Sequence, residues 1–217
     1  SYANLAVRGR LLPQVITEQV PSALRLEPDL VTLGAGVNDA MRRHFDLNAL
    51  ATTLEAGVRE LRRSGADVVL FAFGDPSRRS LTLGPIRGRI RSLNTAVHAI
   101  AEHHGCRVVD FWGAAVFDSD ELWDADRLHL SPTGHERAAL AVREALGRGD
   151  ASWRTPLVGV PRPGAISRAA GHARWTREHA GPWIARRLRG ESSGDEVTPK
   201  DPAWVHIHRG GQVSTAR

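Results

Sequence analysis

Apolar residues in the first 148 positions follow two alternating patterns. Short continuous apolar runs predict buried strands, at Leu30–Leu33, Asp67–Phe73 and Arg107–Phe111. Longer segments with apolar residues three and four positions apart predict helices, at Leu11–Leu26, Leu47–Ser64, Ile86–His104 and Thr133–Leu146. Pro21 should bend or break the first of these helices. Apolar strands separated by helices predict an α/β fold, with a parallel sheet covered by helices on both faces.

The pattern changes after residue 148, so we predict a core of residues 1–148 and a basic, partly irregular extension of residues 149–217. The extension holds six of the twelve prolines and four of the six tryptophans. One helix is predicted near residues 182–189. Its Trp, Ile and Leu side chains either pack on the core, the favoured interpretation, or lie on a membrane surface or a partner.

Charge is divided unequally between the two parts. Residues 1–148 contain 18 Lys+Arg and 18 Asp+Glu, whereas residues 149–217 contain 11 and 6 and so carry the whole net charge of +5. We expect this excess to be a solvated surface and not a nucleic-acid-binding site. No apolar run reaches the roughly 18 to 20 residues that span a bilayer, and no secretory signal is visible, so a cytoplasmic location is expected.

Cysteine content limits the chemistry that the chain can perform. Cys106 is the only cysteine, which excludes an internal disulfide and a cysteine-based metal cluster. Its position beside an apolar run predicts a buried structural thiol. No grouping of His, Asp and Glu in the sequence indicates a metal site.

The segment from Asp126 to His135 indicates acid–base chemistry. Asp126 lies three residues before His129, and both lie just ahead of a helix start, where Ser131 is a suitable cap and Pro132 suits the first position. A histidine on a loop fixed in this way suits proton transfer. Alternatively, both are ordinary surface loop residues, and Asp124 is a second candidate carboxylate. His135 is expected on the helix surface or packed, and His103 and His104 are expected only to end a helix.

Two further motifs precede this segment in the sequence. Asn4-Leu5-Ala6-Val7-Arg8-Gly9 is followed by Gly36-Val37-Asn38-Asp39, directly after the first apolar run. Catalytic groups gather at the C-terminal ends of parallel strands, so the Asn38 motif and the Asp126–His129 loop should lie at one edge of the sheet. The simpler alternatives are that Gly9 permits a tight turn and that Asn38 and Asp39 cap or turn the chain.

Together, in this order, the three motifs resemble the second, third and fifth blocks of the SGNH hydrolases, or GDSL family of esterases and lipases, over residues 1–148. The resemblance implies a three-layer α/β/α fold with a flavodoxin-like parallel sheet. It also implies hydrolysis of small-molecule carboxylic esters without a cofactor or a metal. By resemblance, His129 is the general base, Asp126 orients it, and the Gly9 N–H and the Asn38 amide form an oxyanion hole. No motif encodes the acyl group, the alcohol or the oligomeric state.

The family's first block, Gly-Asp-Ser, carries the nucleophile and is absent from the 217 residues. Ser193-Gly194-Asp195 has the reverse order, and Ser1 is not in the family's position. Because that block ends a central strand in the family, we predict a core that lacks its first strand and a chain that is inactive or severely impaired. One alternative is that Ala203–His208, which alternates like a strand, fills the gap. The alternative function is a non-catalytic α/β binding module that lost the serine.

Overall fold

The computed structural model describes residues 1–78, 81–157, 197–207 and 213–215. These residues form two compact units. The first contains residues 1–68 and the described residues of the C-terminal segment 197–215, and the second contains residues 69–157. The predicted helix near residues 182–189 lies outside the described residues. No helix in the described ranges is both long enough and apolar enough to cross a membrane.

Six strands and six α-helices make up the regular structure of these ranges. The strands are β1 Tyr2–Asn4, β2 Leu30–Leu33, β3 Asp67–Ala72, β4 Arg107–Asp110, β5 Asp201–Ile207 and β6 Val213–Thr215. The α-helices are α1 Leu12–Gln14, α2 Val20–Leu24, α3 Val37–Ala40, α4 Leu47–Arg63, α5 Arg87–His104 and α6 Pro132–Ala145. The mixed α/β class predicted from the sequence is confirmed.

The three apolar runs form one sheet in the order β2-β3-β4. β3 and β4 are parallel, with Val69 opposite Arg107 and Ala72 opposite Asp110. β3 ends at Ala72, one residue before the predicted end, because the Asn94 side chain takes over the backbone groups of Phe73. The Asn94 amide donates to Phe73 O at 2.7 Å, and Phe73 N–H donates to Asn94 Oδ1 at 2.8 Å. A side chain of α5 therefore satisfies the backbone where the strand ends.

The first unit has an irregular helical segment where Pro21 was expected to disturb it. A π-helical segment, Val15–Gln19, separates α1 from α2, and Val20 N–H donates to Val15 O. Proline has no N–H for the carbonyl four residues earlier, so the widened turn lies where regular bonding must fail. The predicted strand Ala203–His208 is present as β5, but it lies in a separate sheet of order β1-β5-β6. The hypothesis that it replaces a strand of the parallel sheet is therefore wrong.

Trp153 joins the core of the second unit although it lies beyond residue 148. Its side chain is 1% exposed and packs edge-on to Phe111, with ring centroids 5.8 Å apart. Its indole N–H donates to Glu144 at 2.5 Å. Arg137 holds the same turn from α6, donating to Ser152 O at 3.0 Å. Residues just after 148 thus contribute apolar packing to this unit, and the boundary at 148 stays a prediction.

Cys106 departs from its predicted environment. Its side chain is half-buried where a buried thiol was expected, and its Sγ lies 3.9 Å from His104 O. The reason is its place in the turn between α5 and β4, where Gly105 at φ 64° ends the helix before the buried part of the strand begins.

We predict that Trp153→Ala lowers the free energy of unfolding by about 3–5 kcal/mol, since it removes a large buried ring and leaves a cavity. Arg154→Ala is the matched control. Its guanidinium lies over the Trp153 ring at 4.2 Å, and loss of an exposed cation–π contact costs about 0.5–1 kcal/mol. Denaturant titration of both variants measures the difference, and equal losses would show that Trp153 is not a core residue.

Candidate active site

The Asp126–His129 loop is attached to the start of α6 by Ser131. The Ser131 hydroxyl donates to Glu121 O at 2.6 Å and accepts from Gly134 N–H at 3.2 Å, and Ser131 N–H donates to Leu122 O at 3.0 Å. Pro132 occupies the first helical position. The predicted cap is therefore confirmed. The same serine also holds the helix against the preceding turn, which fixes the C-terminal side of the loop.

Asp126 bonds both the backbone and the ring of His129. Its Oδ1 accepts from Leu128 N–H and from His129 N–H, each at 2.9 Å, and its Oδ2 lies 2.6 Å from His129 Nδ1. The intervening Arg127 has φ 56°, a left-handed conformation that is uncommon for a side chain of this size. This tight turn brings the ring onto the carboxylate of its own loop.

The resulting pair is arranged for proton transfer. The ring is held through Nδ1, so Nε2 is the nitrogen directed to other groups. The His129 side chain is 59% exposed and the Asp126 side chain 31% exposed, so a substrate can approach the imidazole while the carboxylate is partly covered. The two side chains are hydrogen-bond partners, an arrangement that differs from two ligands turned toward a shared metal ion.

Hydrogen bonding lowers the pKa of Asp126 from its ordinary value. Burial acts in the opposite direction and is the largest single influence, but bonds from the His129 ring, His129 N–H and Leu128 N–H together outweigh it. The carboxylate therefore stays ionised over a wider acidic range than an unbonded aspartate. An ionised carboxylate at this position favours the tautomer with the proton on Nδ1.

Asn38 and Asp39 hold the chain that follows Gly9 in the first unit. The Asn38 amide donates to Arg10 O at 3.1 Å, and the Asp39 carboxylate accepts from Leu12 N–H at 2.9 Å. Asp39 is only 7% exposed, and Leu12 is the first residue of α1. Adjacent residues of α3 therefore fix both the segment after Gly9 and the start of the next helix.

Gly9 and Gly36 both have positive φ angles, a backbone conformation that residues with side chains rarely adopt. Gly9 has φ 79° in the turn before α1, and Gly36 has φ 106° at the start of α3. The turn interpretation of Gly9 thus accounts for its conformation by itself.

The predicted site residues lie in two groups, one in each unit. Asn38 lies against the segment after Gly9 in the first unit, and Asp126 lies against His129 in the second. Asp124 is excluded as the orienting carboxylate, because its backbone N–H, and not its side chain, bonds His129. His135 is exposed on α6, and His103 and His104 end α5, as predicted. Ser1 Oγ lies 3.3 Å from His206 Nδ1, and both residues are exposed.

The sequence pattern does not reveal how three residues shape the site segments. Asp39 was considered a turn residue, but its carboxylate caps α1 from a buried position. Arg127 supplies the left-handed turn, which no residue-type preference indicates. The sequence does contain a signal at Gly134, because a glycine in the first turn lowers the stability of a helix. Its presence there indicates that a side chain would not fit. A Cβ built at Gly134 would lie 2.1 Å from Leu122 O.

We predict that Gly134→Ala destabilises the protein by about 1–3 kcal/mol or more, because the added methyl meets backbone that cannot rotate away. Gly88→Ala is the control, since this glycine lies in α5 with no atom within 4 Å of the added Cβ. Alanine loses less backbone freedom on folding than glycine does, so Gly88→Ala should raise the free energy of unfolding by about 0.5–1 kcal/mol. Opposite signs in denaturant titration are expected, and a neutral Gly134→Ala would contradict the close contact.

The Asp126 carboxylate should contribute stability that depends on pH. Its pKa is lower folded than unfolded, so the contribution is complete above the ordinary aspartate pKa and is lost as pH falls toward the folded value. The stability gap between wild type and Asp126→Asn should therefore be widest near about pH 7 and should narrow toward about pH 3. Urea titration across this range measures it. Asp124→Asn, which leaves the His129 ring contact intact, is the control for loss of a loop carboxylate.

Known proteins resemble this chain in both sequence and fold. The family model described as the GDSL-like lipase/acylhydrolase family matches residues 1–137. A lipase/acylhydrolase from Enterococcus faecalis is 27% identical, with a TM-score of 0.53, covering 64% of this chain and 72% of its own. The comparison with curated proteins gave no match.

Two further solved structures support the fold alone. An alpha/beta hydrolase enzyme from the metagenome of Lake Arreo, Spain, is 24% identical with a TM-score of 0.56, covering 66% of this chain and 71% of its own. An acetyl xylan esterase variant from Geobacillus stearothermophilus is 23% identical with a TM-score of 0.56, covering 65% and 70%. The family model matches more than half of this chain, and the chain therefore belongs to the GDSL-like lipase/acylhydrolase family.

Proposed function

We propose that this protein hydrolyses small-molecule carboxylic esters, with His129 as the general base and Asp126 as the residue that orients it. The observation that carries the proposal is the 2.6 Å contact between Asp126 Oδ2 and His129 Nδ1, in a loop whose backbone bonds to the same carboxylate. His129 takes a proton from the attacking hydroxyl through Nε2 and returns it to the leaving alcohol. Asp126 stabilises the imidazolium that forms between these two steps.

The Gly9 N–H and the Asn38 side-chain amide are the proposed oxyanion donors. Ester hydrolysis places negative charge on the former carbonyl oxygen, and donors already oriented toward that oxygen lower the barrier. The Asn38 amide carries two N–H groups, and its bond to Arg10 O fixes the amide plane. Such fixing is needed because a donor must be in place before the charge develops.

The 217 residues contain no Gly-Asp-Ser sequence, the block that carries the nucleophile in the family. We therefore propose that this chain alone is inactive or severely impaired. Ser1 has a histidine neighbour, but its Oγ lies 3.3 Å from His206 Nδ1 and both partners are exposed. The alternative function, a binding module without catalysis, is favoured only by this missing sequence.

The test uses the protein as its gene encodes it, with a short-chain p-nitrophenyl ester as substrate. We predict that His129→Ala lowers kcat by about 10³-fold and that Asp126→Asn lowers it by a similar order. Asn38→Ala should cost about 10²- to 10³-fold through loss of a donor. His135→Ala is the control, since this exposed histidine lies on α6 and should leave kcat unchanged. Unchanged turnover in His129→Ala would exclude it as the base.

A fluorophosphonate probe separates the enzyme from the binding module. Mass spectrometry of the labelled peptides should find no labelled serine within the 217 residues. Substitution of the serine that is labelled in the encoded protein should abolish ester hydrolysis. Labelling of Ser1, with loss of activity in Ser1→Ala, would show instead that this chain has its own nucleophile. A protein that neither reacts with the probe nor hydrolyses esters would favour the binding module.

A further inference from the structure

We infer that β5, from the basic C-terminal extension, positions the segment that carries Gly9. The inference rests on the proposed role of Gly9, because a positioning strand matters only if the segment acts on a substrate. The observations concern the first unit alone, where β1, β5, α1 and α3 all lie. They link residues near the two ends of the chain.

β1 has β5 as its strand partner. The two strands are antiparallel, with Tyr2 opposite Val205 and Asn4 opposite Asp201. Among the described strands, β5 is the one that hydrogen-bonds to β1. A three-residue strand does not hold its conformation without a partner, so β5 fixes residues 2–4, from which residues 5–8 lead to Gly9.

The Gly9 segment is therefore held at two ends by different elements. On its C-terminal side, Asn38 and Asp39 of α3 bond Arg10 O and Leu12 N–H. On its N-terminal side, the chain leaves β1 through Asn4, whose side chain accepts from Ala6 N–H at 3.0 Å. The stretch between these anchors contains Gly9. Losing the β1–β5 pairing would leave this stretch fixed at one end.

Trp204 of β5 gives the strand a second attachment. Its indole N–H donates to Leu26 O at 2.9 Å, just beyond the end of α2. Val205, the next residue, is 9% exposed, whereas Ile207 is 55% exposed. β5 thus contacts the chain before the Gly9 turn through β1 and the chain after it through Leu26. This arrangement prevents β1 from moving independently of the helical segment that follows Gly9.

The consequence is a catalytic dependence on residues outside the three motifs that resemble the family. A loosened Gly9 turn would bind the ester as before but would present its N–H to the developing oxyanion in fewer molecules. The effect should therefore appear in kcat and not in KM. A purely stabilising strand would instead lower the unfolding free energy without changing kcat of the folded protein.

The test combines hydrogen exchange with kinetics on the protein as its gene encodes it. Val205→Pro removes the backbone N–H of the residue that pairs with Tyr2, and Trp204→Phe removes the bond to Leu26 O. We expect Val205→Pro to raise amide exchange in residues 2–12 at least tenfold while exchange in α4 stays unchanged. kcat should fall by about tenfold, less than the loss of a whole donor, with KM within about twofold. Trp204→Phe should give the same pattern with smaller changes.

Two controls separate positioning from general stability. Ile207→Ala removes an exposed side chain of the same strand and should change neither measurement. Trp153→Phe removes a buried indole N–H bond in the other unit, so it should lower stability without raising exchange in residues 2–12. Unchanged exchange in residues 2–12 of Val205→Pro would overturn the inference, as would an equal rise in α4.

Failure of the proposed function has a different signature. If the wild-type protein does not hydrolyse esters, the proposed function falls, and the exchange measurement still decides whether β5 holds the Gly9 segment. If esters are hydrolysed and exchange in residues 2–12 responds to Val205→Pro but kcat does not, the positioning role is overturned while the proposed function stands.

Discussion

The carboxylate of Asp126 is the group on which the conformation of the His129 loop depends. It accepts two backbone N–H groups and faces the ring of His129, so one side chain determines both the shape of the loop and the direction of the imidazole. The left-handed Arg127 between them is tolerated because these bonds compensate for its strain. Ser131 and Gly134 then hold this loop against the Leu122 turn. The His129 ring is thereby fixed by contacts of its own loop and needs no deep burial.

The first unit uses the same device for its own motif. Asp39 accepts the N–H of Leu12, and Asn38 donates to the carbonyl of Arg10, so adjacent polar residues of α3 grip the chain after Gly9. In both units a side chain from one motif residue replaces a missing backbone partner of a turn. Such bonds are costly to lose when buried, and Asp39 is the more deeply buried carboxylate. Motif residues that carry no chemistry can therefore be as constrained as those that do.

The local spacing of apolar residues was sufficient to predict the helices that bury one apolar face. α4 and α5 were predicted to within one residue at each end, and Ser131 was identified as the cap of α6. The failures involve bonds between residues distant in sequence. Asn94 ends β3 from 21 positions away, and β5 pairs with β1 across nearly the whole chain. Alternation at Ala203–His208 revealed a strand, but pairing is decided by register and available edges, which no local pattern encodes. The contact between Asp126 and His129 was predictable because three residues separate them.

The C-terminal strand changes how the family resemblance should be understood. The family model ends at residue 137, yet Trp153 completes the core of the second unit and β5 completes the sheet that contains β1. β1 is too short to persist alone, and residues 5–8 connect it to Gly9. Residues outside the shared motifs therefore have a physical reason to be retained. For the oxyanion donor proposed at Gly9, geometry matters on the scale of an ångström, so a strand with no chemical group at the site can still set how often that donor is correctly placed.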